Sequence, residues 1–314
     1  MKISIKKIEY YLPEKIEEGS ILKEDNPKWD INKIEEKTGI SKRYISKKDE
    51  TTLDLAFKAS EKILSSEEQR NSIDALILVT QSPEFVLPAS ACVLQDRLKL
   101  NKNCLAFDVN QGCSGFIYGL AIGGSLVEAG VASNVLLICS ETYTKYIGKS
   151  DHTCRPIFSD GAAATLISKA SKNNIGPFEL GTDGSGAKNL IVKSKDLPLY
   201  MSGPDLFLFT LESVPKCINS ILEKANKKIT DINLFVFHQA SKIVIDNIVR
   251  HLKLPEKKVF RNYQKIGNTV SATIPIALKD ASDSGKLKNG DTILALGFGV
   301  GYSWGGCIIK WETK

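Results

Sequence analysis

Short, fully apolar runs alternate along this chain with longer stretches whose apolar positions recur at helical spacing. That is the pattern of strands covered by helices. In the first half, ALILV (75–79) reads as a buried strand. A helical pattern follows Pro88 over 89–98, then a strand over 104–109, a long apolar helix over 114–129 ending near Gly130, and a strand over 135–139. Another strand, 162–167, follows the turn residues Ser159, Asp160 and Gly161, and the opening segment 3–11 reads as a first strand ending at Pro13. The second half repeats the plan: a helix over 205–226, a strand over 234–237, helices over 242–252 and 272–282, and strands over 292–296 and 306–311. Residues 171–203, richer in Gly, Lys and Ser, read as the connection. The expectation is an α/β fold of parallel sheets covered by helices, divided into halves 1–170 and 171–314.

The halves also match in one detail. Gly112 precedes Cys113, a helix runs to Gly130, and a strand begins near Val135; Gly267 precedes Asn268, a helix runs to Gly285, and a strand begins near Thr292. Internal duplication accounts for this, and so does the general likeness of βαβ units.

Composition narrows the function classes. Of 314 residues, 42% are apolar and 25% charged, the balance of a globular protein with a core. The net charge of +6 comes from lysines scattered through most polar segments. No basic tract with interleaved aromatics points to nucleic acid. No apolar run approaches the roughly 18–20 residues that span a bilayer, and the N-terminal segment lacks the apolar core of a signal peptide. Seven cysteines, odd in number and widely spaced, suit reduced thiols in a cytoplasmic protein. No CxxC pair or His/Cys cluster suggests a metal, and no cofactor is expected.

Cys113, in DVNQGCSGF, falls between a predicted strand and a predicted helix, where free N–H groups and the dipole favour a thiolate. Such placement lowers a thiol from ~8.5 toward ~7 or below. Cysteine is also commonly a small buried hydrophobe, the reading for Cys92, Cys104, Cys139, Cys217 and Cys307. For Cys113 the residues alone leave both readings open. His238 ends the strand LFVFHQA, where an open α/β sheet presents residues to a ligand. A structural role competes with one as partner to a thiolate. His251 reads as exposed, and the role of His152 stays open. Asn268, in KIGNTVSATIP, is either an N-cap or an inward-facing counterpart of Cys113. The segment LGFGVGYSWGG (296–306) is too glycine-dense for an ordinary connection and suits close backbone approach, with N–H groups available to an oxyanion.

Together these residues resemble β-ketoacyl-acyl-carrier-protein synthase III and its relatives in the thiolase superfamily, over nearly the whole chain. The likeness is carried by KTGISKRYI (37–45), LPASACVLQDRL (87–98), AFDVNQGCSGFIYGL (106–120), FSDGAAA (158–164), FHQAS (237–241), GNTVSATIPIAL (267–278) and GFGVGYSWGG (297–306). The resemblance implies a thiolase fold, five-layered αβαβα from two duplicated halves, and a homodimer. It implies a catalytic triad of Cys113, His238 and Asn268. Cys113 takes a starter acyl group from a thioester of coenzyme A or a carrier. His238 and Asn268 then hydrogen-bond the malonyl-thioester oxygen while decarboxylation of malonyl-acyl-carrier protein gives an enolate that attacks the acyl group, yielding a 3-oxoacyl product. The oxyanion hole is the backbone N–H of Cys113 and of Val300, the latter standing where the family has glycine.

Other positions depart from the family. Lys33 and Lys37 stand where members that use a coenzyme A starter place a tryptophan and an arginine for the adenine. His152 replaces a second nucleotide-contacting arginine, with Arg155 nearby. Leu87 replaces the aromatic residue that a partner subunit inserts beside the acyl pocket, which would widen it. Carrier proteins are acidic, so Lys242, Arg250, Lys253 and Lys257 are candidates for docking, although a solvated helix face explains them equally. Acyl transfer to an alcohol or amine without condensation is the alternative, and Asn268 speaks against it because that reaction has no enolate. A degradative thiolase would need a second cysteine in the C-terminal glycine segment, and a non-catalytic partner subunit would lack the nucleophile.

Overall fold

The apolar runs become strands of two mixed sheets in the computed structural model, which describes residues 1–194 and 196–312. The first sheet has the spatial order Ile3–Tyr11, Gly161–Lys169, Asn134–Glu141, Ala75–Val79, Leu105–Val109. The second has the order Leu234–Phe237, Thr292–Gly299, Ser303–Lys310, Ile175–Thr182. Strand Ala75–Val79 pairs in parallel with both neighbours, and Leu234–Phe237 with Thr292–Gly299. The other pairings in both sheets are antiparallel, so neither sheet is the all-parallel one expected.

Five layers follow from which faces are apolar. On Ala75–Val79 every residue is buried, and alternate side chains serve different cores. Leu76 and Leu78 pack outward against helices Thr52–Glu61 and Ser90–Arg97. Ile77 and Val79 face inward, toward helices Gly115–Glu128 and Thr273–Asp283. Those two helices fill the space between the sheets. Helices Gly203–Lys224 and Lys242–Leu252 cover the far side of the second sheet, over Phe235, Phe237, Leu294 and Leu296. This is the αβαβα arrangement.

Segment 171–203 is more than a connection. It contains strand Ile175–Thr182, the edge of the second sheet, and a short hairpin of Leu190–Ile191 with Tyr200–Met201. The strand, IGPFELGT, is mostly half-buried, so its glycines and proline hide the alternation that would have marked it.

Helix Gly115–Glu128 approaches the first sheet through small residues. Added at Gly119, a Cβ would lie 2.4 Å from Leu137 Cδ1, a side chain with no exposure and no room to move. Gly119→Ala would gain about 1 kcal/mol in helix propensity, but overpacking of this kind costs typically 1–3 kcal/mol. The expected outcome is a net loss of stability in urea unfolding; a gain would show that the interface yields.

Candidate active site

Cys113 lies in the turn between strand Leu105–Val109 and helix Gly115–Glu128, where the second sheet meets the first half of the chain. A Cβ on Gly299 would stand 2.9 Å from its Sγ, and one on Gly297 2.4 Å from its carbonyl oxygen. The hydroxyls of Ser114 and Ser303 meet across the same seam at 2.8 Å. The glycine segment forms the hairpin of Thr292–Gly299 with Ser303–Lys310, and its glycines admit the turn that carries Cys113. Backbone N–H groups of Val300 and of Cys113 itself donate toward the sulfur.

The thiol is not the low-pKa thiolate that its place before a helix suggested. Burial, and secondarily the nearby Glu141, push it up to about 12, against those two backbone donors. The helix begins only at Gly115, and full desolvation outweighs its dipole.

His238, buried at the end of strand Leu234–Phe237, is pushed down to about 3 by burial and so stands neutral. Its Nδ1 is 2.7 Å from Thr273 Oγ1, and that hydroxyl donates to Val270 O at 2.9 Å. A carbonyl only accepts and a hydroxyl has a single proton, so Nδ1 must be the donor to Thr273. The free lone pair is therefore on Nε2.

Asn268 Oδ1 accepts from Val270 N–H at 2.9 Å, which leaves its Nδ2 directed toward His238 Nε2 at 3.5 Å. Thr269, not Asn268, is the cap position of the short turn Val270–Ala272, so Asn268 is no N-cap; its bond to Val270 N–H fixes the carboxamide with the N–H₂ inward. Val270 itself is held at φ +55°, a left-handed conformation costly for a β-branched residue.

Cys113, His238 and Asn268 line one cavity of about 530 Å³. Its walls are mostly apolar, with Phe158, Leu190, Leu206 and Phe298 among them. At the mouth stand Lys37 and His152, whose ring meets Trp29 edge to face at 5.0 Å. Trp29 escaped the sequence reading because it falls one helical turn before Lys33. Lys33 is exposed on the helix Ile31–Thr38 and does not line the cavity. Arg155 is unavailable to a ligand at the mouth: it is buried in ion pairs with Glu17 at 2.8 Å and with Asp25.

Leu87 is not in the cavity of a single chain; it is 81% exposed, beside Val86 at 84%. Helix Lys242–Leu252 flanks the mouth through Ile243 and Val244. Lys242, Arg250 and Lys253 share a surface groove beyond it with Asp246, Glu256 and Arg261, and Lys242 pairs with Asp246 at 3.2 Å. Lys257 is exposed, in the adjoining turn Glu256–Lys258.

Glu141, missed from the sequence, is the charged residue that ends the strand Asn134–Glu141 after the apolar run VLLIC. It has no exposure and accepts from Ser271 and Ser82 hydroxyls, both at 2.9 Å, and from Gln81 N–H. It thus ties the Asn268–Thr273 segment to the end of strand Ala75–Val79. Burial raises its carboxyl to about 8 despite these donors.

The family description 3-oxoacyl-[acyl-carrier-protein] synthase III matches residues 107–184, and its C-terminal counterpart matches residues 222–311. A β-ketoacyl-[acyl-carrier-protein] synthase III of Clostridium perfringens (strain 13 / Type A) is 38% identical over 96% of both chains. A crystal structure of a 3-oxoacyl-(acyl-carrier-protein) synthase III superposes with a TM-score of 0.95 at 38% identity, covering 99% of this chain and 100% of that one. A 3-oxoacyl-(acyl-carrier protein) synthase from Burkholderia xenovorans LB400 superposes with a TM-score of 0.94 at 32% identity, covering 99% and 95%.

Two outcomes are expected from this geometry. The proton that Glu141 keeps when folded is released by the unfolded chain above about 4.3, so its stabilising contribution is full below that value and lost as pH rises through about 8. Relative to Glu141→Gln, the wild type should lose up to about 1.4 kcal/mol per pH unit across this window in urea unfolding; a pH-independent difference would mean the carboxyl is ionised throughout. For His238, ¹⁵N-histidine NMR should report the Nδ1–H tautomer in the wild type and its loss in Thr273→Val, and a predominant Nε2–H form in the wild type would contradict the assignment.

Proposed function

Because the chain belongs to the 3-oxoacyl-[acyl-carrier-protein] synthase III family, we infer that it is a condensing acyltransferase that joins an acyl starter to malonyl-acyl-carrier protein. We assign the chemistry to Cys113, His238 and Asn268, and the observation that carries this assignment is their convergence on one largely apolar cavity. In loading, His238 Nε2 takes the Cys113 proton as sulfur attacks the starter thioester. The oxyanion forms against the N–H groups of Cys113 and Val300. Collapse expels the carrier thiolate, which takes the proton back from His238.

The malonyl thioester follows through the same cavity. Its C–C bond to the carboxylate breaks, carbon dioxide leaves, and the electron pair becomes an enolate. His238 takes up a proton from solvent as the malonyl carboxylate enters, and its Nε2–H and Asn268 Nδ2 donate to the enolate oxygen. Burial resists an imidazolium here, so the proton stays on His238 only while the substrate anion faces it. The enolate carbon attacks acyl-Cys113, and the departing sulfur recovers its proton from His238. Transfer to an alcohol or amine would leave Asn268 with no enolate to serve.

We further read the chain as duplicated halves, 1–170 and 171–314, each giving one sheet and one middle helix. A homodimer would cover the edge strand Leu105–Val109 and the exposed Phe85, Val86 and Leu87, placing Leu87 beside the partner's acyl pocket. Lys242, Arg250, Lys253 and Lys257, on the groove and turn beyond the mouth, suit an acidic carrier, and Lys37 suits the phosphate of a phosphopantetheine arm. Free thiols support a reducing, cytoplasmic setting.

Mass spectrometry tests the assignment directly. An acyl thioester donor should add one acyl group at Cys113, and malonyl-acyl-carrier protein should convert it to 3-oxoacyl product. Cys113→Ala should take no acyl group. Asn268→Asp should still load but lose condensation by about 10²- to 10³-fold, since a carboxylate repels the enolate. Covalent loading that survives Cys113→Ala would refute the nucleophile.

A further inference from the structure

Tyr143 is buried beside Cys113 and has no part in the chemistry above. It sits in the short turn Tyr143–Tyr146, which follows strand Asn134–Glu141, and packs in one apolar cluster with Cys113, Phe158 and Val270. Its ring lies 5.3 Å from that of Phe158 and edge-on to that of Tyr146 at 6.0 Å. Its hydroxyl donates to Gln81 Oε1 at 3.0 Å. Gln81 is itself held. Its backbone N–H is bonded to Glu141 at 3.1 Å, its Nε2 donates to Asn110 at 3.2 Å, and its Oε1 abuts Gly112, where an added Cβ would stand 2.5 Å away. Tyr143 is therefore a fixed wall and not a mobile gate.

The order of the two half-reactions gives that wall a consequence. The starter thioester and the malonyl thioester enter through the same cavity in turn. An acyl chain left on Cys113 cannot remain in that cavity, or the second substrate would be shut out. It must lodge on the other side of the sulfur. Phe158 and Leu190 line the cavity, whereas Tyr143 and Val270 do not. Tyr143 thus packs in the cluster around Cys113 but outside the entry cavity.

We propose that Tyr143, braced by Gln81, is a specificity-determining residue that closes the acyl subsite behind Cys113 and restricts this enzyme to short, unbranched starter groups of acetyl or propionyl size. This rests on the condensing function proposed above. It also reverses the substrate expectation drawn from Leu87: whatever room the partner's leucine opens, the chain's own tyrosine takes from behind. Phenylalanine at this position would keep the ring and lose the Gln81 bond, whereas leucine or alanine would vacate the space.

The test is acyl loading of the intact enzyme by S-acyl-pantetheine thioesters, whose use does not depend on recognition of a nucleotide or a carrier. Acetyl, propionyl, butyryl, isovaleryl and hexanoyl donors are compared by protein mass spectrometry. Wild type and Tyr143→Phe should load acetyl and propionyl at least about tenfold faster than hexanoyl or isovaleryl. Tyr143→Leu and Tyr143→Ala should load acetyl and raise the hexanoyl-to-acetyl ratio by about tenfold or more. Equal acetyl and hexanoyl loading by the wild type would overturn the proposal. So would an unchanged ratio in variants that load acetyl, or loss of acetyl loading in both Tyr143→Leu and Tyr143→Ala. A wild type that takes no acyl group at Cys113 from any donor would instead overturn the condensing function itself, a result separable from the others because it appears before any Tyr143 variant is made.

Discussion

Two backbones meet at Cys113 with nothing between them, and the site exists because of that contact. Gly297 and Gly299 leave no space for a side chain against the nucleophile's turn: a Cβ at either would stand within 3 Å of Cys113. The strand they belong to, Thr292–Gly299, is buried along its whole length and pairs in parallel with the strand that ends before His238. Pressing it onto Cys113 therefore fixes the height of the imidazole as well. The backbone continues into Val300, whose N–H reaches the sulfur. One close approach thus sets Cys113, the Val300 N–H and His238, the proposed nucleophile, oxyanion donor and base, in a common frame.

The same contact excludes water, and that decides the charge states. Cys113 is pushed up to about 12, His238 down to about 3, and Glu141 up to about 8, each chiefly by burial. The resting site holds no stable thiolate–imidazolium pair. Charge develops only when a substrate supplies its own, a thioester oxygen or a malonyl carboxylate, next to donors already in position. This differs from thiols activated permanently by a helix start, and it suits an enzyme whose cavity must accept two thioesters without reacting with water between them. Thr273 fits that logic: by accepting from Nδ1 it leaves Nε2 free to take the thiol proton.

The alternation of strands and helices was legible in the sequence because it rests on local signals, apolar runs such as ALILV among them. Cys113, His238 and Asn268 each carried a structural reading as good as the functional one, and only the family resemblance singled them out as a set. What escaped depends on distance or on partners. Strand Ile175–Thr182 is half-exposed at a sheet edge and lacks the apolar run. The helix-start argument for Cys113 counted a dipole and could not count desolvation from a strand nearly 190 residues away in the chain. Arg155 looked free beside His152, yet Glu17 and Asp25 claim it from the N-terminal segment. Trp29 lies off the family's register, and only the fold brings it to His152. Glu141 alone left a readable trace, a carboxylate closing a buried strand.

The strained Val270 shows how the far half of the site is held. Its left-handed backbone lies between Asn268, whose Oδ1 takes the Val270 N–H, and Ser271, whose hydroxyl reaches Glu141. A β-branched residue keeps such a conformation only where its surroundings over-determine it. Here the restraint comes from the first half of the chain, through a carboxyl that also grips Gln81 and Ser82. Asn268 is therefore aimed by a network rooted beside Cys113, not by its own helix. Gln81, in the same network, fixes the Tyr143 hydroxyl. Asn268 and Tyr143, the proposed enolate donor and the proposed wall of the acyl subsite, thus share one buried anchor. A change that loosens Glu141 should disturb condensation and starter choice together, whereas one confined to Tyr143 should disturb starter choice alone.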